Sequence, residues 1–395
     1  MRPNSPGVKT MTRSGPGGAF LPPRSWANVR IDGLATPEAT DRFRGRAVRE
    51  RHLPADHYRS APGGLVLSSI GLGSYLGAPD GPTDLAVEQA VTVAAGSGRV
   101  NVLDTAINYR LQRAERSIGR AVARLDARGE VPRAALFVAT KNGYLAPDAE
   151  SPLAPDRWIA ETLVRPGILD PADVVDGSHA MSRSYLADQF DRSRANLGLE
   201  AIDLMYLHNA PDAQIPAVGR EEFLGRLEGA FEFYEERRAR GQLGAYGLAT
   251  WESLRAPPSH PAFLPLESAV RVARQVGGEH HGFRFVQFPF SLAMPEAAVL
   301  PNQPVDGHAQ TLFSAAARLG LGVFTSVPLL QGRLARGGPK RDGLTSAQTA
   351  LQFARSAPGT LAPLVGQKTA AHISENLEVA SRSPWDPATF RSFLT

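Results

Sequence analysis

Four side chains that could pass a proton among themselves end three successive apolar runs of this sequence. NVLDTAINY closes one run with Asp104 and carries Tyr109 onto the next loop; FVATKNG closes the second with Lys141; DLMYLHN closes the third with His208. Taken singly, each has a plain structural explanation. Asp104 could cap a helix, Lys141 could be a solvated loop lysine, and His208 could be a satisfied core histidine. Together they form a working set. A free phenol with a pKa of about 10 exchanges protons poorly near neutrality. An ammonium at Lys141 is expected to lower that value for Tyr109, with Asp104 as the counter-charge a buried lysine needs. His208 would then orient a carbonyl oxygen while Tyr109 acts as general acid. The choice of lysine is informative, because only Lys9, Lys141, Lys340 and Lys368 are lysines among 43 basic residues. A compact ammonium can be tuned in a way a guanidinium cannot.

Such a set works only if the three runs end on the same side of one body. Eight short apolar or β-rich runs recur at Val66–Tyr75, Arg99–Leu103, Leu136–Ala139, Ile202–His208, Ala245–Ala249, Phe285–Phe290, Gly322–Ser326 and Leu361–Val365. Segments of helical spacing separate them, with start signals at Thr83, Ser184 and Thr345 and a stop at Gly198. Alternation of this kind suits a closed parallel (β/α)8 TIM barrel or an open doubly wound sheet. IGLGSYLG (Ile70–Gly77) lacks the third glycine and the acidic residue of a dinucleotide-binding fingerprint, which favours the barrel.

Length and composition set the outer limits. The chain's 395 residues and 43% hydrophobic content allow one barrel with additions, and the net charge of +4 is spread rather than clustered, which argues against a nucleic-acid partner. With no cysteine, disulfides, thiolate metal sites and a thiol nucleophile are excluded. No apolar run reaches the roughly 18 residues of a membrane span. MRPNSPGVKTMTRSGPGG lacks the apolar core of a signal peptide, so a cytoplasmic location is expected, with residues 1–18 unstructured and Met11 a possible start.

LDTAINYRLQRAERSIGRAV resembles the signature of the aldo-keto reductase family, VATKNG and DLMYLHN its lysine and histidine strands, and GLVLSSIGLGSYLG its N-terminal hairpin. The resemblance runs from about His57 to about Arg382. It implies a catalytic set of Asp104, Tyr109, Lys141 and His208, no metal, and NADPH lying over the strand ends against a small-molecule carbonyl substrate. By the same resemblance Ser74, Tyr75 and Asp104 face the cofactor, PLLQGRL (Pro328, Leu329, Gln331, Gly332) forms the pyrophosphate loop, and Gly366, Gln367, Lys368, Thr369 and His372 hold the 2′-phosphate. Glu375 and Asn376 fall to the adenine. A helix N-terminus beside a lysine suits a phosphate on physical grounds as well. Three positions depart from the family. Ala249 and Thr250 replace the Ser-Asn pair that holds the nicotinamide, although Gln287 matches its third member; Ser326 replaces the stacking aromatic; and His372 stands where arginine is common. The same groups would also serve a sugar or lactol dehydrogenase running in reverse, or a cofactor-binding subunit without catalysis.

Two additions to the barrel are expected. Residues 1–56 form a partly disordered N-terminal extension, and residues 57–395 the barrel. Within it, residues 145–181 are an insertion after the third strand that carries Leu153, Trp158, Ile159, Leu163, Val164 and Ile168. Leaving a strand at its catalytic end, this segment is expected to fold over the mouth and line the pocket, the alternative being a decoration on the outer wall. Tyr75, Tyr144, Trp158 and Trp251 are the candidate substrate-pocket walls. The adjacent His280 and His281 are expected in a surface loop.

Overall fold

The computed structural model describes residues 30–394. Eight parallel strands close on themselves: β1 (Gly71–Gly73), β2 (Val102–Asp104), β3 (Phe137–Asn142), β4 (Ile202–His208), β5 (Leu243–Ala249), β6 (Phe283–Pro289), β7 (Gly322–Ser326) and β8 (Thr360–Gly366), with β8 paired to β1. Each is followed by a helix: α1 (Gly81–Gly96), α2 (Arg113–Ala127), α3 (Arg183–Leu197), α4 (Arg220–Ala239), α5 (Leu266–Gly277), α6 (Leu312–Arg318), α7 (Ser346–Ser356) and α8 (Ala370–Glu378). The expected (β/α)8 barrel is therefore the architecture observed.

Two cores result from the alternation of strand side chains. Inside the barrel, Phe137, Phe285 and Phe324 meet with centroids 5.4–5.9 Å apart, packed among Leu67, Leu204, Tyr206 and Leu361. Outside, strands bury their other faces under the helices. On α2, Ile118, Ala121, Val122 and Leu125 recur at helical spacing and are all buried, each large aliphatic chain contributing roughly 1.5–3 kcal/mol.

Several local signals fall where the sequence places them. Thr345 and Gln348 form a reciprocal capping box at α7, and Gly198 closes α3 at φ 64°. Two helices start earlier than expected. Asp80, not Thr83, caps α1 by accepting from the Thr83 amide, and α3 begins after Ser182 rather than Ser184. The first apolar run also divides. Val66–Ser68 turns back to pair antiparallel with Tyr58–Ser60, and only Gly71–Gly73 joins the barrel.

The described part of the N-terminal extension is ordered; its remainder, with Met11 and residues 1–18, lies outside the described residues. Thr36 caps a helix over Pro37–Arg51, whose Ala47 packs with Leu53 and Tyr58. Ala35 and Thr36 bond to Asp203 and Ala134, at the N-terminal ends of the strands and so opposite the mouth. His280 is exposed as expected. His281 is not: it is buried, because the chain turns inward there to enter β6.

The insertion is a correction. Its apolar residues build a small core of their own, with Trp158, Leu163 and Leu169 packed on Tyr185 of α3 and flanked by Leu153, Ile159, Val164 and Ile168. Trp158 is only 5% exposed, with the Arg192 guanidinium 5.2 Å from its ring. The segment lies against α3 instead of covering the mouth, since Tyr185 offers a buried apolar partner that a lid would forgo.

Candidate active site

A cavity of about 880 Å³ opens at the C-terminal ends of the strands. Its floor holds Asp104, Tyr109 and His208, with Lys141 buried just beneath. Each is positioned by its strand end. Asp104 is the last residue of β2 and His208 the last of β4, while Lys141 sits on β3 between them. Tyr109 needs a tighter device. Arg110, Leu111 and Gln112 follow it with φ of 50°, 53° and 73°, three non-glycine residues in the left-handed region. Strain of that kind costs of order 1–3 kcal/mol per residue and persists only under external restraint. Here Arg110 is tied to Asp84 at 2.5 Å and to Ser117 at 3.0 Å, and Gln112 to the Ala146 carbonyl at 2.8 Å.

The electrostatics centre on one buried pair. Lys141 Nζ donates to Asp104 Oδ2 at 2.6 Å and to the Thr105 carbonyl at 2.8 Å, and Gln287 Nε2 donates to Asp104 Oδ1 at 3.1 Å. Burial pushes the Asp104 carboxyl up and the Lys141 ammonium down, and each opposes the shift in the other. Lys141 Nζ also lies 4.8 Å from the centre of the Tyr109 ring. The expectation that it lowers the phenol's pKa is not met. Burial first, then the Asp104 charge, hold Tyr109 well above 10. His208 is driven well below 6.5 by burial, then by Lys141 and His179, so its ring is neutral at neutral pH. At pH 7 the floor thus carries a protonated phenol beside a neutral imidazole.

Three aromatic rings gather round these groups. Tyr109 meets Tyr75 at 4.9 Å and His208 at 5.5 Å, and Tyr144 meets His208 at 5.0 Å, all edge-on. Tyr144, Tyr75 and Trp251 line the cavity, with Tyr75 55% and Trp251 42% exposed. Trp158 does not reach it. Two residues there escaped sequence reading: Asn108, whose Oδ1 is 3.2 Å from His208 Nδ1, and Asn209, whose Nδ2 donates to the Tyr144 hydroxyl at 3.2 Å. Adjacency to Tyr109 and His208 was the available signal.

The cavity continues from this floor across the barrel end. Ser74, Thr250, Gln287, Ser326, Pro328, Leu329, Gln331 and Gly332 line its middle, and Gly366, Lys368, His372, Glu375 and Asn376 its far end, joined by Arg336. Arg336 lies two residues beyond the PLLQGRL segment that carries the resemblance. Gln367 and Thr369 stand apart from the lining. Gln367 is buried, and Thr369 caps α8, accepting from the His372 amide at 3.2 Å. Lys368 Nζ donates to the Leu76 carbonyl at 3.0 Å, and Glu375 accepts from Thr345 at 2.6 Å. Two features fit a bound nicotinamide dinucleotide. Thr250 Oγ1, in the cavity wall, is buried without a partner among the described residues, and the cationic Lys368, just before the N-terminus of α8, lines the same cavity as Arg336. Among the described residues, no helix is long and apolar enough to cross a membrane.

The sequence profile of the aldo/keto reductase family matches residues 69–257, a stretch that contains Asp104, Tyr109, Lys141 and His208. This stretch, just under half of the chain, is similar to the aldo/keto reductase family. That match supports an NAD(P)H-dependent oxidoreductase. No curated protein sequence matches it. Two solved structures share the fold. The holo form of the aldo-keto reductase AKR11C1 from Bacillus halodurans is 17% identical with a TM-score of 0.57, covering 85% of this chain and 94% of its own. The thermostable aldo-keto reductase Tm1743, complexed with the inhibitor epalrestat, is 16% identical with a TM-score of 0.55, covering 85% of this chain and 98% of its own. Residues 258–382, beyond the profile match, include the remaining strands of the same closed barrel and the phosphate end of the cavity.

Proposed function

We propose that this protein reduces an aldehyde or ketone with NADPH, Tyr109 delivering the proton. One observation carries the reading: a protonated phenol and a neutral imidazole share the floor of a cavity that runs on to a cationic end. When bound, the cofactor supplies the hydride. Tyr109 Oη–H donates to the carbonyl oxygen, and His208 orients that oxygen through Nε2–H. The latter requires Asn108 to turn its amide so that Nδ2 faces His208 Nδ1, an exchange of ends that costs no contact. Lys141 and Asp104 keep the floor neutral and fix the ring of Tyr109 above the ammonium. Thr250 and Gln287 take over the carboxamide-binding work of the missing Ser-Asn pair. Lys368, Arg336 and His372 favour a 2′-phosphate.

Reduction starts from the protonated phenol and oxidation from the phenolate, and Tyr109, held above its ordinary value, is in the form that reduction uses at neutral pH. Tyr109→Phe tests the assignment. Turnover should fall by about 10²–10⁴-fold, the typical worth of a general acid, with NADPH affinity by fluorescence titration unchanged. Near wild-type turnover removes Tyr109 from the proton path.

A further inference from the structure

The insertion misses the mouth, yet one of its residues reaches the back of the site. His179, near the end of the insertion, is fully buried and meets the end of β4. Its ring nitrogens have two neighbours: the His208 carbonyl 3.1 Å from Nε2, and Gln214 Nε2 3.0 Å from Nδ1. Gln214 lies on a helix over Ala210–Val218. Its Oε1 accepts from Arg226 Nη1 of α4 at 2.9 Å, and Arg226 Nε bonds Glu222 at 3.0 Å.

The direction of every bond in this chain follows from Arg226. A guanidinium only donates, so Gln214 must turn Oε1 to it and Nε2 to the imidazole. His179 Nδ1 is then an acceptor, and the ring's single proton sits on Nε2, pointing at the His208 carbonyl. Burial holds His179 near a pKa of about 4, so the ring stays neutral and keeps this tautomer at physiological pH.

We infer that His179 is a positioning residue for His208 and Tyr144, and that setting it in place is what the insertion contributes to catalysis. Three observations support this. The His208 carbonyl needs such a partner where Asn209, at φ 49°, bends the chain away from the strand direction. The Tyr144 ring stands edge-on between the two imidazoles, 5.3 Å from His179 and 5.0 Å from His208. Room for the brace has been cleared, since a Cβ on Gly143, itself at φ 117°, would meet His179 Nε2 at 2.5 Å. Two paired backbone bonds, Ala180 to Gly143 and Leu145 to Ser178, close the insertion at this point. Its apolar core against α3 then serves as the footing for the brace.

The inference rests on His208 orienting the substrate carbonyl. The test uses holoprotein with NADPH and 4-nitrobenzaldehyde as probe. His179→Phe keeps the ring's bulk and loses both hydrogen bonds. Its kcat should fall about 10- to 100-fold, the scale of a misplaced catalytic group. Cofactor affinity should not move, and His179→Gln, which can still donate to the carbonyl, should recover part of the loss. Wild-type kcat in both variants overturns the inference. Should His179→Phe fail to fold, nitrogen NMR of the wild-type imidazole decides: a proton on Nε2 supports the chain of bonds, and a proton on Nδ1 overturns it. A wild-type protein that binds NADPH but reduces no carbonyl of any class is a different result, and it removes the functional reading itself.

Discussion

Replacing Lys141 by methionine leaves Asp104 buried without its partner. The residue retains similar length and apolar bulk, so the change is chiefly electrostatic. Asp104 is then left with burial, which raises its pKa, and the single hydrogen bond from Gln287, which lowers it. Breaking a buried ion pair by removing one partner costs about 3–5 kcal/mol. At roughly 2.1 cal/mol/K per residue, a chain of this size has an unfolding entropy near 0.8 kcal/mol/K, so the melting temperature should fall by about 4–6 °C. The pH dependence gives a second signature. A carboxyl whose folded pKa lies above its unfolded value stabilises the protein below the unfolded pKa, and that contribution is lost as pH rises through the folded one. The deficit relative to wild type should therefore be smaller at pH 5 than at pH 8. Circular-dichroism melts at both values, with Lys141→Met/Asp104→Asn as control, supply the assay; the double variant should recover much of the loss. If Lys141→Met melts within a degree of wild type at both pH values, Asp104 does not depend on Lys141 for its charge, and the electrostatic account of the floor fails.

Other outcomes follow from the same geometry. Asn108→Asp should lock the proton of His208 on Nδ1 and leave Nε2 as an acceptor, lowering kcat by about 10²-fold on the scale of lost acid–base positioning; wild-type kcat would show that His208 does not donate to substrate. Lys368→Ala should weaken NADPH by roughly 10- to 150-fold, the worth of a charged hydrogen bond to phosphate, and NADH far less; equal losses for both cofactors in fluorescence titration refute the 2′-phosphate role. Trp158→Ala should cost about 3–5 kcal/mol in denaturant melts by emptying the insertion's own core, with substrate KM unchanged, because Trp158 does not touch the cavity. The reductive kcat should hold level from pH 6 to 9 while the oxidative rate climbs with pH, as a phenol held well above 10 requires; a reductive rate that falls through neutrality would contradict the pKa direction.

Much of the barrel is legible in the sequence because its strands are short, apolar and flanked by strong helix punctuation. The limits of β4 and β7 match the runs read for them, and the capping box at Thr345 is observed. Helix α1 was misread at its start because Asp80 and Thr83 are both good capping types, and only the Pro82 ring between them favours the earlier residue. The direction of Tyr109's shift was not legible either. Sequence order puts Lys141 near the phenol but does not show that burial and the Asp104 charge raise the phenol's pKa. The insertion failed for the same reason at longer range. Its apolar residues said that it packs on something, and the something was Tyr185, whose burial depends on how α3 is rotated. His179 carried no pattern at all, since its partner Gln214 and the Arg226 that orients Gln214 lie on two other helices.

The central claim is hydride transfer from a nicotinamide to a carbonyl carbon, with Tyr109 providing the proton. Incubating the holoprotein with NADPH deuterated at the transferable C4 position, and with a panel of aldehydes and ketones, tests it directly. The account predicts an alcohol carrying deuterium on the former carbonyl carbon, formed by the wild type and lost in Tyr109→Phe. Cofactor binding without any labelled alcohol would contradict it.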